Sequence, residues 1–432
     1  MFSAPLAYRK GRALARQLEP LASQNVAPMQ TMASSPSVVY RKPAPTITAS
    51  APSPGVASVK IIRTWYPHWG NHSGINQYIK YLDPQRFHVC EQLVSENDDD
   101  FPICNRIVQD WLRHRVQRHG MTWYNLSDFN AELRTVGDRL RPSSAALLHY
   151  LDGEHSAQFL PRRRIGSRPA QIVTYHQPAD VLARVVRIDV AHCFDEQEEF
   201  FRAHVGTTPV RVILHGIDTD YYRPAQRTRS SATVTCITVG HNYRDYRAVR
   251  QVAERLRSVT QLAFHVVSPR PTGVEDLPNV TCHRGLSDDE LLRLYQSADI
   301  LFLPLTKATA NNSLLEGMAC GLPVVSTSLA SIHAYTSEGT AILVGNGNSD
   351  QYIDALMGLV ENESMRRVMA ARARHRAEEL DWRNIAPQFA IRAPLIRAGA
   401  PYDANRSASL APRSPFARRY KARVIPARRS LR

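Results

Sequence analysis

The stretch Ala308–Thr327, ATANNSLLEGMACGLPVVST, governs how the rest of the chain is read. It follows Leu301-Phe302-Leu303-Pro304-Leu305, an apolar run with the character of a buried strand that leaves its sheet at Pro304. Polar residues from Thr306 to Asn311 form a loop, and Ser313–Cys320 compose a short helix. Gly321 suits the position just past a helix end, and Pro323 prevents continuation. Val324–Thr327 is then a strand. This order of strand, loop, helix and strand predicts a helix N-terminus aimed at the carboxyl end of a parallel sheet. The unpaired N–H groups and the dipole of such a terminus favour an anion such as phosphate. Asn311, Asn312 and Ser313 offer small polar side chains that can cap the helix or bond a phosphate or a sugar hydroxyl. Glu316, one turn in, can accept hydrogen bonds from a ribose diol. Ser313-Leu314-Leu315-Glu316 is also a capping-box pattern, so Glu316 has a second reading as a brace for its own helix.

Outward from this segment, short β-branched runs alternate with helical spacing, the pattern of an α/β protein with parallel sheets. Strands are expected at Val59–Thr64, His88–Val94, Ala145–Tyr150, Gln171–Tyr175 and Val186–Ala191 in the first half. The second half offers Thr233–Val239, Gln261–Val267, Asn279–His283, Asp299–Leu303 and Ala341–Val344 besides the strand after Pro323. Ser287-Asp288-Asp289-Glu290 is a capping box opening a helix to Ala298, and longer helices are expected over Asp350–Val360 and Ser364–Leu380. The pattern breaks near residues 207–231, at Pro209, Pro224 and the polar run AQRTRSSAT. Two Rossmann-like lobes follow from this, residues 59–208 and 233–392, joined by a linker at 209–232. Such folds place ligands in the cleft outside the carboxyl ends of the strands.

The 432 residues carry a formal net charge of +15, which would ordinarily suggest nucleic acid or an anionic membrane as a partner. The charge is not spread evenly. Residues 1–58 hold six Lys or Arg against Glu19, a net +5; residues 393–432 hold ten against Asp403, a net +9. About +1 remains for the body, which argues against a nucleic-acid-binding face. Both tails, the first rich in Pro, Ser and Ala and the second in Arg, are expected to be disordered, with an organellar import signal as the other reading of the first. Near an anionic leaflet each basic residue contributes about 1 kcal/mol, so the tails also suit peripheral contact with a membrane. The six cysteines form no CxxC pair, and free thiols in a cytoplasmic protein are expected. No apolar run is long enough to span a bilayer, and no signal-peptide core is evident at the N-terminus. No metal site is expected: Asp218-Thr219-Asp220 is a lone DxD triplet in the linker, and the histidines near residues 149–176 lack ligand spacing.

The run Ser313-Leu314-Leu315-Glu316-Gly317-Met318-Ala319-Cys320-Gly321-Leu322-Pro323-Val324-Val325 resembles the signature of retaining glycosyltransferases of family 4, which have the two-lobed GT-B fold. The resemblance implies that Glu316 binds the donor's ribose. An acid usual eight residues earlier, near the donor sugar, is here Ala308, which implies that Asn311, Asn312 or Thr306 takes over the sugar contact, that the donor is unusual, or that activity is lost. Val212-Ile213-Leu214-His215-Gly216-Ile217-Asp218 resembles the interlobe segment of that family, with Gly216 turning the backbone. Val239-Gly240-His241-Asn242-Tyr243-Arg244 matches its diphosphate loop, with His241 where the family has Arg and no Lys nearby. Arg244 is then the surviving cation, its forked guanidinium suited to phosphate oxygens. Arg284-Gly285-Leu286-Ser287 resembles the loop whose backbone groups read the nucleotide base. In the first lobe, Gly70 and Gly74 occupy the position of the family's Gly-rich loop, and His176, in Thr174-Tyr175-His176, that of a histidine reaching the donor sugar. His149 and Asp152-Gly153-Glu154-His155 lie where an acceptor would sit, and Asp381-Trp382 resembles the start of a terminal helix that returns to the first lobe.

The resemblance implies a metal-independent transferase with no cofactor beyond its nucleoside-diphosphate-sugar co-substrate. It would move the sugar to a glycan, lipid-linked or polysaccharide-precursor hydroxyl with retention of configuration; the thiols point to the cytoplasm, and the basic tails to peripheral contact with the inner face of the membrane. His176, Arg244 and Glu316 would be its central residues. A silent nucleotide-sugar binder or scaffold, and a sugar-nucleotide epimerase, are the other readings of the same fold.

Overall fold

The computed structural model describes residues 56–66, 71–117, 124–140, 147–158, 170–182, 191–193, 200–203, 210–225, 233–345 and 348–390. Gly70, all but residues 56–58 of the first tail, the whole of 393–432, and the strand expected at 186–191 except Ala191 lie outside them.

Two parallel sheets dominate. The first joins β1 (Ala57–Trp65), β2 (Phe87–Ser95), β3 (Leu147–Tyr150) and β4 (Ala170–Val173) in the order β2-β1-β3-β4. A short pair, β5 (Ala191–Cys193) and β6 (Val210–Val212), follows in sequence. The second sheet has six strands: β7 (Val234–Val239), β8 (Leu262–Val267), β9 (Val280–His283), β10 (Ile300–Leu303), β11 (Val324–Thr327) and β12 (Ala341–Val344). Their order is β12-β11-β10-β7-β8-β9. The central strands are apolar on both faces because helices cover both: VTCITV of β7, ILFL of β10 and VVST of β11 are buried throughout.

That strand order fixes where a ligand can bind. From β7 the chain winds outward to β8 and β9, then returns to β10 on the other side and winds outward to β11 and β12. The carboxyl ends of β7 and β10 therefore flank a topological switch point, where the loops part to opposite faces and leave a crevice. The first sheet reverses in the same way between β1 and β3. Four loops thus converge on two crevices: those after β7 and β10, which begin at Gly240 and Pro304, and those after β1 and β3.

The helix opened by Ser287 is capped as its sequence predicts. The Ser287 side chain accepts from the Glu290 N–H, and the Glu290 carboxylate accepts from the Ser287 N–H. Ser349–Glu361 and Glu363–Glu379 are long helices meeting at Asn362, which ends one and caps the other. Ile75–Tyr81 is a 3-10 helix.

The interlobe segment is held by the start of the last helix, Trp382–Ala390. The Ile217 N–H donates to the Leu380 carbonyl and the Trp382 N–H to the Ile217 carbonyl, at 3.0 and 3.1 Å. Gly216 is there for closeness rather than for a turn: a Cβ at this position would lie 2.4 Å from the Trp382 ring. Asp381 accepts from the Thr219 hydroxyl and from the Arg383 guanidinium, and these bonds hold its carboxyl below the usual range despite burial. Phe389, at the far end of the helix, stacks on Tyr78 with centroids 4.7 Å apart. One buried apolar cluster runs from Val59, Ile61 and Tyr78 through Ile217 and Trp382 to Leu301, Leu314 and Met318.

Candidate functional site

The helix at the heart of the sequence argument is Asn312–Ala319, its start at the β7/β10 switch point. Its N-cap is Asn311, whose side chain accepts from the Leu314 N–H at 3.1 Å. The capping-box reading of Ser313 and Glu316 is thereby replaced. Capping begins two residues earlier, and this leaves both side chains for other work.

Ser313 faces the loop after β7. Its hydroxyl donates to the Val239 carbonyl at 3.1 Å and accepts from Arg244 Nη2 at 2.9 Å. Arg244 also donates through Nε to the Val239 carbonyl and through Nη1 to the Asn242 carbonyl, both at 2.8 Å, and lies 3.4 Å from Asn311 Oδ1. All these acceptors are neutral. Among the described residues no carboxylate lies within salt-bridge distance of Arg244, and burial holds its pKa below the ordinary guanidinium value. A half-buried cation of this kind, beside a helix N-terminus, creates a potential that favours an incoming anion. Gly240 makes the approach feasible. Its φ is +99°, and a Cβ there would sit 2.5 Å from Arg244 Nη2. Tyr246 donates its hydroxyl to the Gly240 carbonyl and pins the same turn. His241, in the place expected of a cation, pairs its Nδ1 with Ser268 Oγ at 3.3 Å.

Glu316 is 4% exposed and points across the lobes. Its Oε1 accepts from the Ser73 hydroxyl at 2.6 Å and its Oε2 from the Tyr295 hydroxyl at 2.9 Å. Burial pushes its carboxyl above the usual range, against the opposing pull of the two hydroxyls and Arg244. Gly74 follows Ser73 with φ +93°.

The facing wall belongs to the first lobe, at the ends of β3 and β4. His176 donates through Nε2 to the Leu151 carbonyl at 2.6 Å, which fixes the proton on that nitrogen because a carbonyl only accepts. Its backbone N–H lies 3.3 Å from both Glu154 oxygens, and its carbonyl accepts from Thr309 Oγ1 at 2.7 Å. Thr309 directly follows Ala308, so the loop lacking the usual acid is tied to His176. Lys307 meets Asp180 and Tyr243 donates to Gln177 at 3.0 Å, two more contacts between the lobes. Beneath His176 lie Asp152, which accepts from the Thr64 N–H at 2.8 Å, and the buried Glu154, whose carboxyl is raised by burial. Burial opposes the charged form of His155, but Asp128, with Glu154 and Asp152 behind it, overrides this and raises its pKa to about 9.

Residues 233–362 match the family model for glycosyl transferases group 1. The matched stretch contains Gly240, Arg244, Ser313 and Glu316. A D-inositol 3-phosphate glycosyltransferase of Corynebacterium urealyticum is 34% identical over 102 residues, 23% of this chain and 24% of that one. Another so named, from Rhodococcus opacus, is 25% identical over 226 residues, 46% of this chain and 50% of that one. The O-antigen chain mannosyltransferase B of Escherichia coli is 23% identical over 293 residues, 64% of this chain and 70% of its own. The chain thus spans a quarter to a half of the length of the first two of these relatives. Among solved structures, sucrose-phosphate synthase from Thermosynechococcus elongatus superposes with a TM-score of 0.59 at 16% identity, over 80% of this chain and all of that one. HepE of Anabaena, solved with UDP and glucose, gives 0.53 at 12% identity, over 77% and 98% of the two chains. The fold is GT-B.

Not every residue expected in a glycosyltransferase cleft is brought to this cluster. His149 is 2% exposed and lies between the Tyr78 hydroxyl at 2.7 Å and Thr174 Oγ1 at 3.0 Å, a packed position in the first-lobe core. Thr306 turns its hydroxyl to the Tyr243 carbonyl at 3.2 Å. Arg284 is exposed and pairs with Glu275 at 2.9 Å; Gly285 (φ +63°) is exposed beside it, and Leu286 is partly buried. The DxD carboxylates serve the linker turn: Asp218 accepts from the N–H groups of Asp220 and Tyr221, and Asp220 pairs with Arg383. Asn312 is partly exposed at the helix start. The sequence reading missed Ser73, Tyr295 and Thr309. Ser73 adjoins Gly74 and Thr309 lies in the loop from Thr306 to Asn311, whereas nothing in the sequence pointed to Tyr295.

Proposed function

We propose that this chain transfers a sugar from a nucleoside-diphosphate donor to an acceptor hydroxyl, with retention of configuration and without a metal ion. The observation that carries this reading is Arg244: a half-buried guanidinium bonded to neutral groups, set between a left-handed glycine and a helix N-terminus. The donor's diphosphate would lie there, against Arg244 and the N–H groups of Asn312 and Ser313. Glu316 would hold the ribose diol, and the backbone near Gly285 and Leu286 would meet the base. His176 would orient the sugar from the opposite lobe. As the bond from the anomeric carbon to the diphosphate breaks, negative charge grows where Arg244 and the helix start already direct positive potential. The acceptor oxygen bonds to the anomeric carbon on the same face, and its proton passes to the departing diphosphate. No protein nucleophile is required.

The solved HepE complexes with UDP support a nucleoside diphosphate as the ligand class, and the names of the curated relatives support a polyol or glycan hydroxyl as acceptor. Work on lipid-linked glycans at the cytoplasmic face of a membrane accords with the basic tails. Among the described residues no helix is long and apolar enough to cross a membrane. Equal partitioning of the full chain and residues 59–392 onto anionic liposomes would remove any role of the tails there.

A thermal-shift screen against a panel of nucleotide sugars tests the central reading, since one stabilising donor identifies base and sugar together. With that donor, Arg244→Ala is expected to lower transfer about 100-fold or more, and undiminished transfer would refute the assignment. A second reading, a silent nucleotide-sugar binder, is favoured by Ala308, which is packed in the core with no acid in its place. Protection of the bound donor without transfer or hydrolysis would establish it.

A further inference from the structure

Three consecutive first-lobe residues touch the second lobe or the linker. The Asn71 N–H donates to Asp288 Oδ2 at 2.8 Å. The His72 ring lies flat on that of Tyr221, centroids 3.5 Å apart, with its Nδ1 3.2 Å from Asp218 Oδ2. Ser73 then reaches Glu316 Oε1 at 2.6 Å. The loop is therefore delivered onto Glu316 by its neighbours as well as by Ser73 itself. Of the two hydroxyls on this carboxylate, Tyr295 comes from the same lobe as Glu316, on the helix Asp288–Ser297. Ser73 comes from the facing lobe and so occupies the side from which a ligand between the lobes must arrive.

We infer that Ser73 competes with the ligand: its hydroxyl holds the carboxylate oxygen that a ribose diol needs, and donor binding exchanges one hydrogen bond for the other. This rests on the assignment of Glu316 to the ribose. The exchange costs the nucleotide a charge-assisted hydrogen bond already made within the protein, so Ser73 sets nucleoside affinity without touching the bound donor. It also confers selectivity: a ligand without a diol leaves the Ser73–Glu316 bond intact and gains nothing from its removal.

Calorimetric titration of the full-length chain with UDP, GDP and ADP tests this, using wild type, Ser73→Ala, Ser73→Thr and Glu316→Gln. The diphosphate bound best by wild type is expected to bind Ser73→Ala about five- to tenfold more tightly. Ser73→Thr, which keeps the hydroxyl, should match wild type. The 2′,3′-dideoxy form of the same diphosphate should bind Ser73→Ala and wild type equally. A purely structural effect of the substitution would not follow the diol in this way. If Glu316→Gln weakens binding while Ser73→Ala is unchanged or weaker, or gains equally with the dideoxy form, the role of Ser73 is overturned and the ribose assignment stands. If none of the diphosphates binds, or Glu316→Gln binds as wild type does, the ribose assignment itself falls, and the inference with it.

Discussion

Gly240 and Arg244 form a pair in which the backbone of one makes room for the side chain of the other. At φ +99° an L side chain is strained by about 1–2 kcal/mol, and the Cβ of alanine would also displace Nη2 of Arg244. Gly240→Ala should therefore destabilise the fold by about 1–3 kcal/mol in urea unfolding and weaken nucleoside-diphosphate binding by more than that loss of stability explains. Binding equal to wild type would mean that the guanidinium is not the anion contact. At this scale the sequence was most informative where a residue's task is set by its close neighbours. Gly240 and Arg244 share the loop after β7, Ser313 opens the helix that follows β10, and the adjacency of those two strands brings them together. Ser73 and Glu316 are 243 residues apart, and Tyr295 reaches Glu316 from another helix. Hydrogen bonds across a cleft leave no periodicity to read.

The Asn312–Ala319 helix shows how a pattern can place an element correctly and mistake its first turn. Ser313-x-x-Glu316 satisfies the capping-box rule, but Asn311 has the extended backbone a cap needs (φ −125°, ψ 105°) and takes the role. Asn311→Ala is expected to cost about 1 kcal/mol of stability and to release one contact from Arg244, read as a lower unfolding midpoint with unchanged secondary structure. The Ser287 box meets no such rival and forms as written, so Ser287→Ala should cost a similar amount (about 1 kcal/mol) in urea unfolding. Strands were legible in the same uneven way. The second sheet appears nearly as its apolar runs predict, and its central strands β7, β10 and β11 are buried on both faces. In the first half the helices Arg106–Val116 and Leu126–Leu140 are amphipathic, yet neither was named from the sequence.

Across the whole molecule, the cluster of Asp128, Glu154 and His155 links stability to pH. His155 has its pKa raised to about 9, above the ordinary value near 6.5. Its favourable contribution is complete below about pH 6.5 and is lost as pH rises through about 9. The raised carboxyls of Glu154 and Asp128 act in the same sense, since the folded state holds their protons more tightly than the unfolded chain does. The melting temperature is therefore expected to fall as pH rises from 6.5 to 9. His155→Gln should flatten that slope, and a slope unchanged by the substitution would assign the dependence to other groups.

The stacking of Phe389 on Tyr78, and the burial of Trp382 against Gly216, also bear on how the chain is made. Translation delivers β1 to β4 first, yet the residues that cover Tyr78 emerge only after the entire second lobe. During synthesis the first lobe thus waits with an apolar face open, whereas the second has all six of its strands before the closing helix arrives. Nascent chains stalled before Trp382 should engage chaperones that recognise exposed apolar surface, and release of the last helix should end that engagement.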